Sequence, residues 1–175
     1  MKDKQSFNFI SIKKGNSKEK AFEIFAIITN ILFAIISIPL LAFEIYGIFF
    51  ILIDKIPKLV LILLSIGFLL KYPFFIFQWI LILLYKGNKK IKKEDKTIFS
   101  ILLIAIIIVY SIFTFSLWVE LATIYRGEIL KILLNPYVVT VYLYIMSAFS
   151  TFLFIYNKPT LSDIKLNYGS MEINP

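Results

Sequence analysis

The 175-residue chain contains neither cysteine nor histidine, and Arg126 is its only arginine. Without cysteine there are no disulfides, no thiolate chemistry and none of the usual zinc or iron–sulfur ligands. Without histidine there are no imidazole general bases, no His-ligated metals and no haem bound through His. The sequence also lacks a Gly-rich phosphate loop, a GxSxG motif and a GxxxG motif within an apolar run. We therefore expect no cofactor and no enzymatic activity.

Charged residues are scarce and apolar residues dominate. The chain is 59% hydrophobic and 17% charged, with a mean hydropathy of +0.85. Ordinary globular domains are only about 45–50% apolar, so this composition is typical of an integral membrane protein. We expect one membrane domain at 21–156, between a basic N-terminal tail at 1–20 and a short polar C-terminal tail at 157–175.

Four apolar segments are long enough to cross a bilayer as helices, which requires about 20 residues each. They lie at about 21–53, 59–85, 97–125 and 129–156, and a Lys-rich loop at 86–96 separates the middle two. The first would be roughly 50 Å long at 1.5 Å per residue, so it must tilt, kink or protrude. Pro39 is the place where it would kink or, alternatively, break. The predicted fold is an all-α, polytopic bundle of four transmembrane helices.

The distribution of lysine and arginine predicts the orientation. The two tails and the 86–96 loop together carry fourteen, and the opposite side carries four, at Lys55, Lys58, Arg126 and Lys131. Because cytoplasmic loops are enriched in these residues, both termini are predicted to be cytoplasmic. We expect the cell membrane, although an organellar membrane is an alternative. The Lys-rich segments are candidates for contact with anionic lipid headgroups, and we expect no nucleic acid partner.

Polar residues form a regular stripe on the first apolar segment. They recur at seven-residue spacing, close to two helical turns, and are Glu23, Asn30, Ser37 and Glu44. The second segment carries Lys71, Gln78 and Tyr85 at the same spacing. If these segments form an antiparallel hairpin, the two stripes face each other. The facing pairs are then Asn30 with Gln78, Ser37 with Lys71 and Glu23 with Tyr85. Such pairs would form a polar seam that fixes helix packing.

A second group of polar residues lies in the outer half of the membrane domain. Lys71 is near the middle of its segment, where a charge is costly, so we expect it to pair with Glu44. In the second hairpin Glu120 lies opposite Asn135, next to a kink expected at Pro136. Glu44, Lys71, Glu120 and Asn135 are thus a candidate intramembrane polar cluster.

Two interpretations of these polar residues compete. In the first they hold helices together, and the protein is a subunit, regulator or immunity-type partner of a larger membrane assembly, or a homo-oligomer. In the second they line a polar cavity, and the protein is a small ion or solute transporter that uses Glu44, Lys71 and Glu120. A third possibility, an intramembrane or lipid-modifying enzyme, would depend on Glu44, Glu120 and tyrosine side chains.

Overall fold

The structure, a computed structural model, describes residues 3–46, 58–87, 89–126 and 128–161, with side chains at 18–42, at 62 and, within those ranges, from 65 onward. Its helices are α1 (Asp3–Tyr46), α2 (Lys58–Tyr85), α3 (Lys93–Ile124), α4 (Ile129–Leu133) and α5 (Pro136–Tyr156). Within this part of the chain, four stretches are long and apolar enough to cross a membrane: Lys18–Ala42, Ser65–Tyr85, Lys93–Ile124 and Pro136–Tyr156. The predicted all-α four-helix membrane bundle is confirmed, and the chain is a multi-pass membrane protein.

Helix α1 begins much earlier than the apolar pattern indicates. It starts at Asp3 rather than near residue 21, and its 44 residues are about 66 Å long at 1.5 Å per residue. The basic segment continues the helix of the span because Lys, Glu and Gln are good helix formers and no proline precedes Pro39. The helix also continues through Pro39 to Tyr46, so the alternative of a break there is wrong. Residues 47–53 lie outside the described part.

The fourth predicted segment is two helices rather than one. The short α4 ends at Leu133, and α5 begins at Pro136. Proline has no N–H to donate and disfavours helical backbone at the residue before it, here Asn135 with φ −65° and ψ 127°. Pro136 is therefore the first residue of a new helix, the position that proline favours.

Helix α5 is the centre of the bundle. It packs against α1, α2 and α3, and α1 contacts α5 much more extensively than it contacts α2. More than half of α5 is buried, whereas each of the other spans buries about a third or less. Small buried residues such as Ser147 and Ala148 allow neighbouring helices to approach α5 closely. The outer faces of α1–α3 carry exposed aliphatic and aromatic side chains, including Ile35, Leu83 and Phe115, as contact with lipid requires.

Aromatic rings fill the space between these helices. Phe33 of α1 contacts Phe75 of α2 and Tyr144 of α5, with ring centroids 4.6 and 5.5 Å apart. Tyr144 also packs edge-on against Tyr110 of α3, at 4.5 Å. One aromatic cluster therefore joins all four spans around α5.

Candidate functional site: the buried polar core

The polar core is a stripe of polar side chains along α5 with the residues of α1 and α2 that contact it. The stripe residues are Thr140, Tyr144, Ser147, Ser150 and Thr151, all buried. The hydroxyls of Thr140, Ser150 and Thr151 donate to carbonyls three or four residues earlier, as in Thr151 to the Ser147 carbonyl, at 2.8 Å. Each such oxygen can still accept a hydrogen bond from another helix. Thr151 and Thr140 thus accept hydrogen bonds from α1 and α2, respectively.

Helix α1 binds this stripe through two adjacent residues. Asn30 Nδ2 donates to Thr151 Oγ1 at 3.1 Å and to the Ala26 carbonyl at 2.8 Å. The Thr29 hydroxyl forms a short hydrogen bond with the Ser150 hydroxyl. Asn30 is fully buried and Thr29 is 3% exposed. Polar contacts of this kind contribute about 0.6 kcal/mol each on average in membranes, so together they fix the position of α1 along α5.

Helix α2 binds the same stripe at matching seven-residue spacing. The Ser147 hydroxyl donates to Gln78 Oε1 at 3.0 Å, and Lys71 Nζ donates to Thr140 Oγ1 at 3.1 Å. Because the numbers rise together along both helices, α2 and α5 run parallel. Lys71 and Gln78 are both fully buried.

The predicted facing pairs are replaced by contacts with α5. Asn30 and Gln78 are both buried as a seam would require, yet they bind Thr151 and Ser147 instead of each other. The expected hairpin of α1 and α2 does not form this seam, because α5 supplies hydroxyls to both helices. A hydrogen bond between α1 and α2 at this level runs from the Tyr72 hydroxyl to the Ser37 carbonyl, at 3.3 Å.

Lys71 lies in an aromatic enclosure. Its Nζ atom is 5.0 Å from the ring centroid of Phe68 and 5.1 Å from that of Tyr72, in addition to its bond to Thr140. Cation–π contacts stabilise a buried ammonium by about 2 kcal/mol when it is desolvated. The predicted pair with Glu44 involves a side chain outside the described residues.

The other members of the candidate cluster have separate surroundings. Asn135 caps α5, because its Oδ1 accepts from the Tyr137 N–H at 3.0 Å, and its Nδ2 donates to the Tyr125 hydroxyl at 3.3 Å. Glu120 is half-buried and forms no hydrogen bond or ion pair with a described residue. The structure thus brings Lys71 into the polar core, gives Asn135 a capping contact, and does not join Glu120 to either.

A second ionic site, absent from the sequence-based predictions, lies where α5 ends. The Lys158 ammonium is fully buried and contacts Glu19 Oε1 at 2.6 Å and Glu23 Oε2 at 3.7 Å. It also donates to the Gly87 carbonyl, and the Gly87 N–H donates to Glu23 Oε2 at 2.9 Å. Glu23 was predicted to face Tyr85, but it accepts a hydrogen bond from Gly87, two residues further along the chain. We call this site the Lys158 cluster.

The Lys158 cluster is extended by backbone contacts. Lys96 Nζ donates to the Lys158 carbonyl at 2.8 Å. Ile91, fully buried, pairs with Thr160 in an isolated parallel bridge. The start of the membrane part of α1, the loop at 86–96 and the segment after α5 therefore meet at one end of the bundle. The i, i+4 spacing of Glu19 and Glu23 was the sequence signal for a shared cation, but nothing in it identified Lys158.

An open groove of about 490 Å³ runs along the outer surface between α3 and α5. Its lining is mostly apolar and consists of Ser111, Thr114, Phe115, Trp118, Val119, Ala122, Tyr142 and Ile145. Phe115 is 71% exposed, although it lies within a span. This face can take an acyl chain or a further helix.

Among the residues that the structure describes, no three acidic side chains come together as metal ligands. The chemistry offered by the polar core is hydrogen bonding and charge, from hydroxyls, amides and Lys71. No family model, curated protein or solved structure matches the chain, so inferences about its function come from these residues and contacts.

Proposed function

We propose that the protein is not an enzyme and acts through helix–helix contacts in the bilayer, as a subunit, regulator or immunity-type partner of a larger membrane assembly. The observation that carries this proposal is the enclosure of the polar core. Asn30, Lys71 and Gln78 are fully buried and bonded to α5. Polar side chains used to hold the bundle together leave the apolar outer faces for contact with other membrane proteins.

The groove between α3 and α5 is the surface that we propose for this contact. It combines an exposed aromatic side chain, Phe115, with small residues such as Ser111 and Ala122. A transmembrane helix packs by placing a ridge of side chains into such a groove, and small residues permit close approach. A second copy of this chain is the alternative partner, and the experiment below distinguishes the two by the mass of the adduct.

Site-specific photo-crosslinking in native membranes tests the proposal. A photoreactive residue at Val119, which is 52% exposed in the groove, should yield a discrete protein adduct that mass spectrometry identifies. Ile76 of α2 is the matched control, because it is 59% exposed within a span and lies outside the groove. Crosslinks to lipid alone at both positions would contradict the proposal.

A second candidate function is transport of a small ion or solute by Glu44, Lys71 and Glu120. The observation that favours it is the complete burial of Lys71 within a span, since charged residues there are expensive and commonly functional. In liposomes a transporter should lose flux on Lys71→Met and Glu120→Gln while remaining folded. If the wild-type protein mediates no flux and Lys71→Met weakens co-purification of a partner, transport is excluded and the first proposal is supported.

We also propose that the protein resides in the cell membrane with both termini in the cytoplasm and its Lys-rich loop near anionic headgroups. The Lys158 cluster supports a common side for these segments, because it joins Glu19, the loop residue Gly87 and the segment after α5. The excess of lysine in the same segments favours the cytoplasmic side.

A further inference from the structure

Three polar atoms at the centre of the bundle form no hydrogen bond with any described residue. They are Asn30 Oδ1 on α1, Gln78 Nε2 on α2 and Tyr144 OH on α5. All three side chains are fully buried. A buried polar atom without a partner costs about 1–3 kcal/mol, and in folded proteins such atoms are commonly satisfied by bound water.

The three side chains lie on or against successive turns of α5, at Tyr144, Ser147 and Thr151. Gln78 is anchored on Ser147 and Asn30 on Thr151, which are one turn apart on α5. Four residues of helix correspond to about 6 Å along its axis. Two hydrogen bonds of about 2.8 Å that meet at one water oxygen at roughly the tetrahedral angle span about 4.6 Å, which two side chains anchored one turn apart can reach. The Tyr144 hydroxyl lies near the Gln78 amide, without the geometry of a direct hydrogen bond.

We infer that an ordered water molecule is bound between α1, α2 and α5 by Asn30 Oδ1, Gln78 Nε2 and Tyr144 OH. The donors and acceptors match, because the Gln78 amide donates to the water oxygen and the water donates to the Asn30 carbonyl oxygen. The Tyr144 hydroxyl supplies the third contact, and buried waters typically make about three. The water gives Asn30 and Gln78 the mutual connection that the sequence suggested as a direct bond. This site is independent of the proposed function.

Nuclear magnetic resonance of the full chain in lipid nanodiscs tests the inference. Glutamine occurs only at positions 5 and 78, so Gln5→Glu leaves Gln78 as the single glutamine. In this protein, labelled with ¹⁵N-glutamine, the Gln78 side-chain amide should show a cross-peak to water. The Gln78 backbone amide is an internal control, because it lies within α2 and donates to the helix ladder.

Two substitutions complete the test. Asn30→Leu places an apolar side chain at the water site, and the cross-peak should be lost. Tyr144→Phe removes one oxygen, so it should weaken the cross-peak and shift the Gln78 amide signal even if Asn30→Leu fails to fold. The inference is overturned if the wild-type amide shows a direct cross-peak to Asn30 or Tyr144 and none to water. It is also overturned if both substitutions leave a water cross-peak unchanged.

Discussion

At the scale of single residues, Lys158 joins three separate parts of the chain. Its ammonium is fully buried, while the side chains of Glu19 and Glu23 remain 15% and 14% exposed. The two glutamates keep some contact with water, whereas the lysine has exchanged its water for two anions and the Gly87 carbonyl. The Phe154 ring, with its centroid 4.8 Å from Nζ, shields the ammonium further. The cluster is therefore a buried tertiary contact that holds these three segments together, rather than an exposed surface salt bridge.

We expect Lys158→Met to lower the free energy of unfolding by about 1–3 kcal/mol, because it leaves two carboxylates facing a partly buried site without their cation. Thermal unfolding in detergent, followed by circular dichroism, measures this loss. Lys131→Met is the matched control, since Lys131 forms an exposed ion pair with Glu128 and should change stability by less than about 0.5 kcal/mol. Equal effects of the two substitutions would show that the Lys158 cluster does not hold these segments together.

At the scale of elements, α2 and α3 approach each other closely at Gly67. A Cβ atom there would lie 2.6 Å from Phe113 Cε2. Phe113 cannot move aside freely, because its ring packs edge-on against Phe68 and Tyr110. The Tyr110 hydroxyl also donates to the Gly67 carbonyl at 2.8 Å. The absence of a side chain at Gly67 thus sets the distance between these two helices.

Gly67→Ala should destabilise the bundle by about 1 kcal/mol, because overpacking costs about 1–3 kcal/mol and the better helix propensity of alanine offsets part of it. In a Phe113→Ala background the same substitution should be neutral or stabilising, since the clashing ring is gone. A double-mutant cycle of unfolding free energies measures the coupling. Additive effects would show that the contact does not limit the approach.

The start of α5 depends on the cap at Asn135. Replacing it with alanine removes the acceptor for the Tyr137 N–H and should cost about 1 kcal/mol. Asn135→Asp keeps an acceptor at the same place and should retain most of the stability, which the same unfolding assay can check. If alanine and aspartate are equally destabilising, the contact of Asn135 with Tyr125 matters more than the cap.

At the scale of the whole molecule, the bundle encloses a polar stripe within an otherwise apolar and aromatic interior, and its outer surface is apolar. Its polar core runs along α5 and is bounded at one end by the Lys158 cluster and at the other by the Asn135 cap. The described outer faces of the spans are rich in exposed isoleucine and leucine. This arrangement suits a lipid solvent, in which polar groups must find partners within the protein.

The proposed orientation can be tested because the chain has no cysteine of its own. Single cysteines at Lys89 and Glu128, both exposed, lie in the loops on opposite sides of the spans. In intact cells a membrane-impermeant maleimide should label the cysteine at 128 and leave the one at 89 unlabelled until the membrane is opened. The reverse labelling pattern would place the termini outside.

The buried polar residues show which features of the site could be predicted from the sequence and which could not. The burial of Asn30, Lys71 and Gln78 followed from their position on long apolar segments, because an isolated polar group in lipid must turn inward. The sequence did not identify their hydrogen-bond partners, because any of three neighbouring helices could have supplied a hydroxyl. At Pro136 the sequence predicted a kink, whereas the structure has the end of one helix and the start of the next. A proline at that place is compatible with both arrangements.

The sequence by itself determined the solvent of this protein, its four spans and the identity of the polar residues that had to be buried, because hydropathy and periodicity are local properties of the chain. Tertiary structure alone decided that α5 is the central helix, that α1 and α2 bind it rather than each other, and that Lys158 meets Glu19. Those contacts join residues 69 to 139 positions apart. Such partnerships depend on how whole helices pack, which no local pattern encodes.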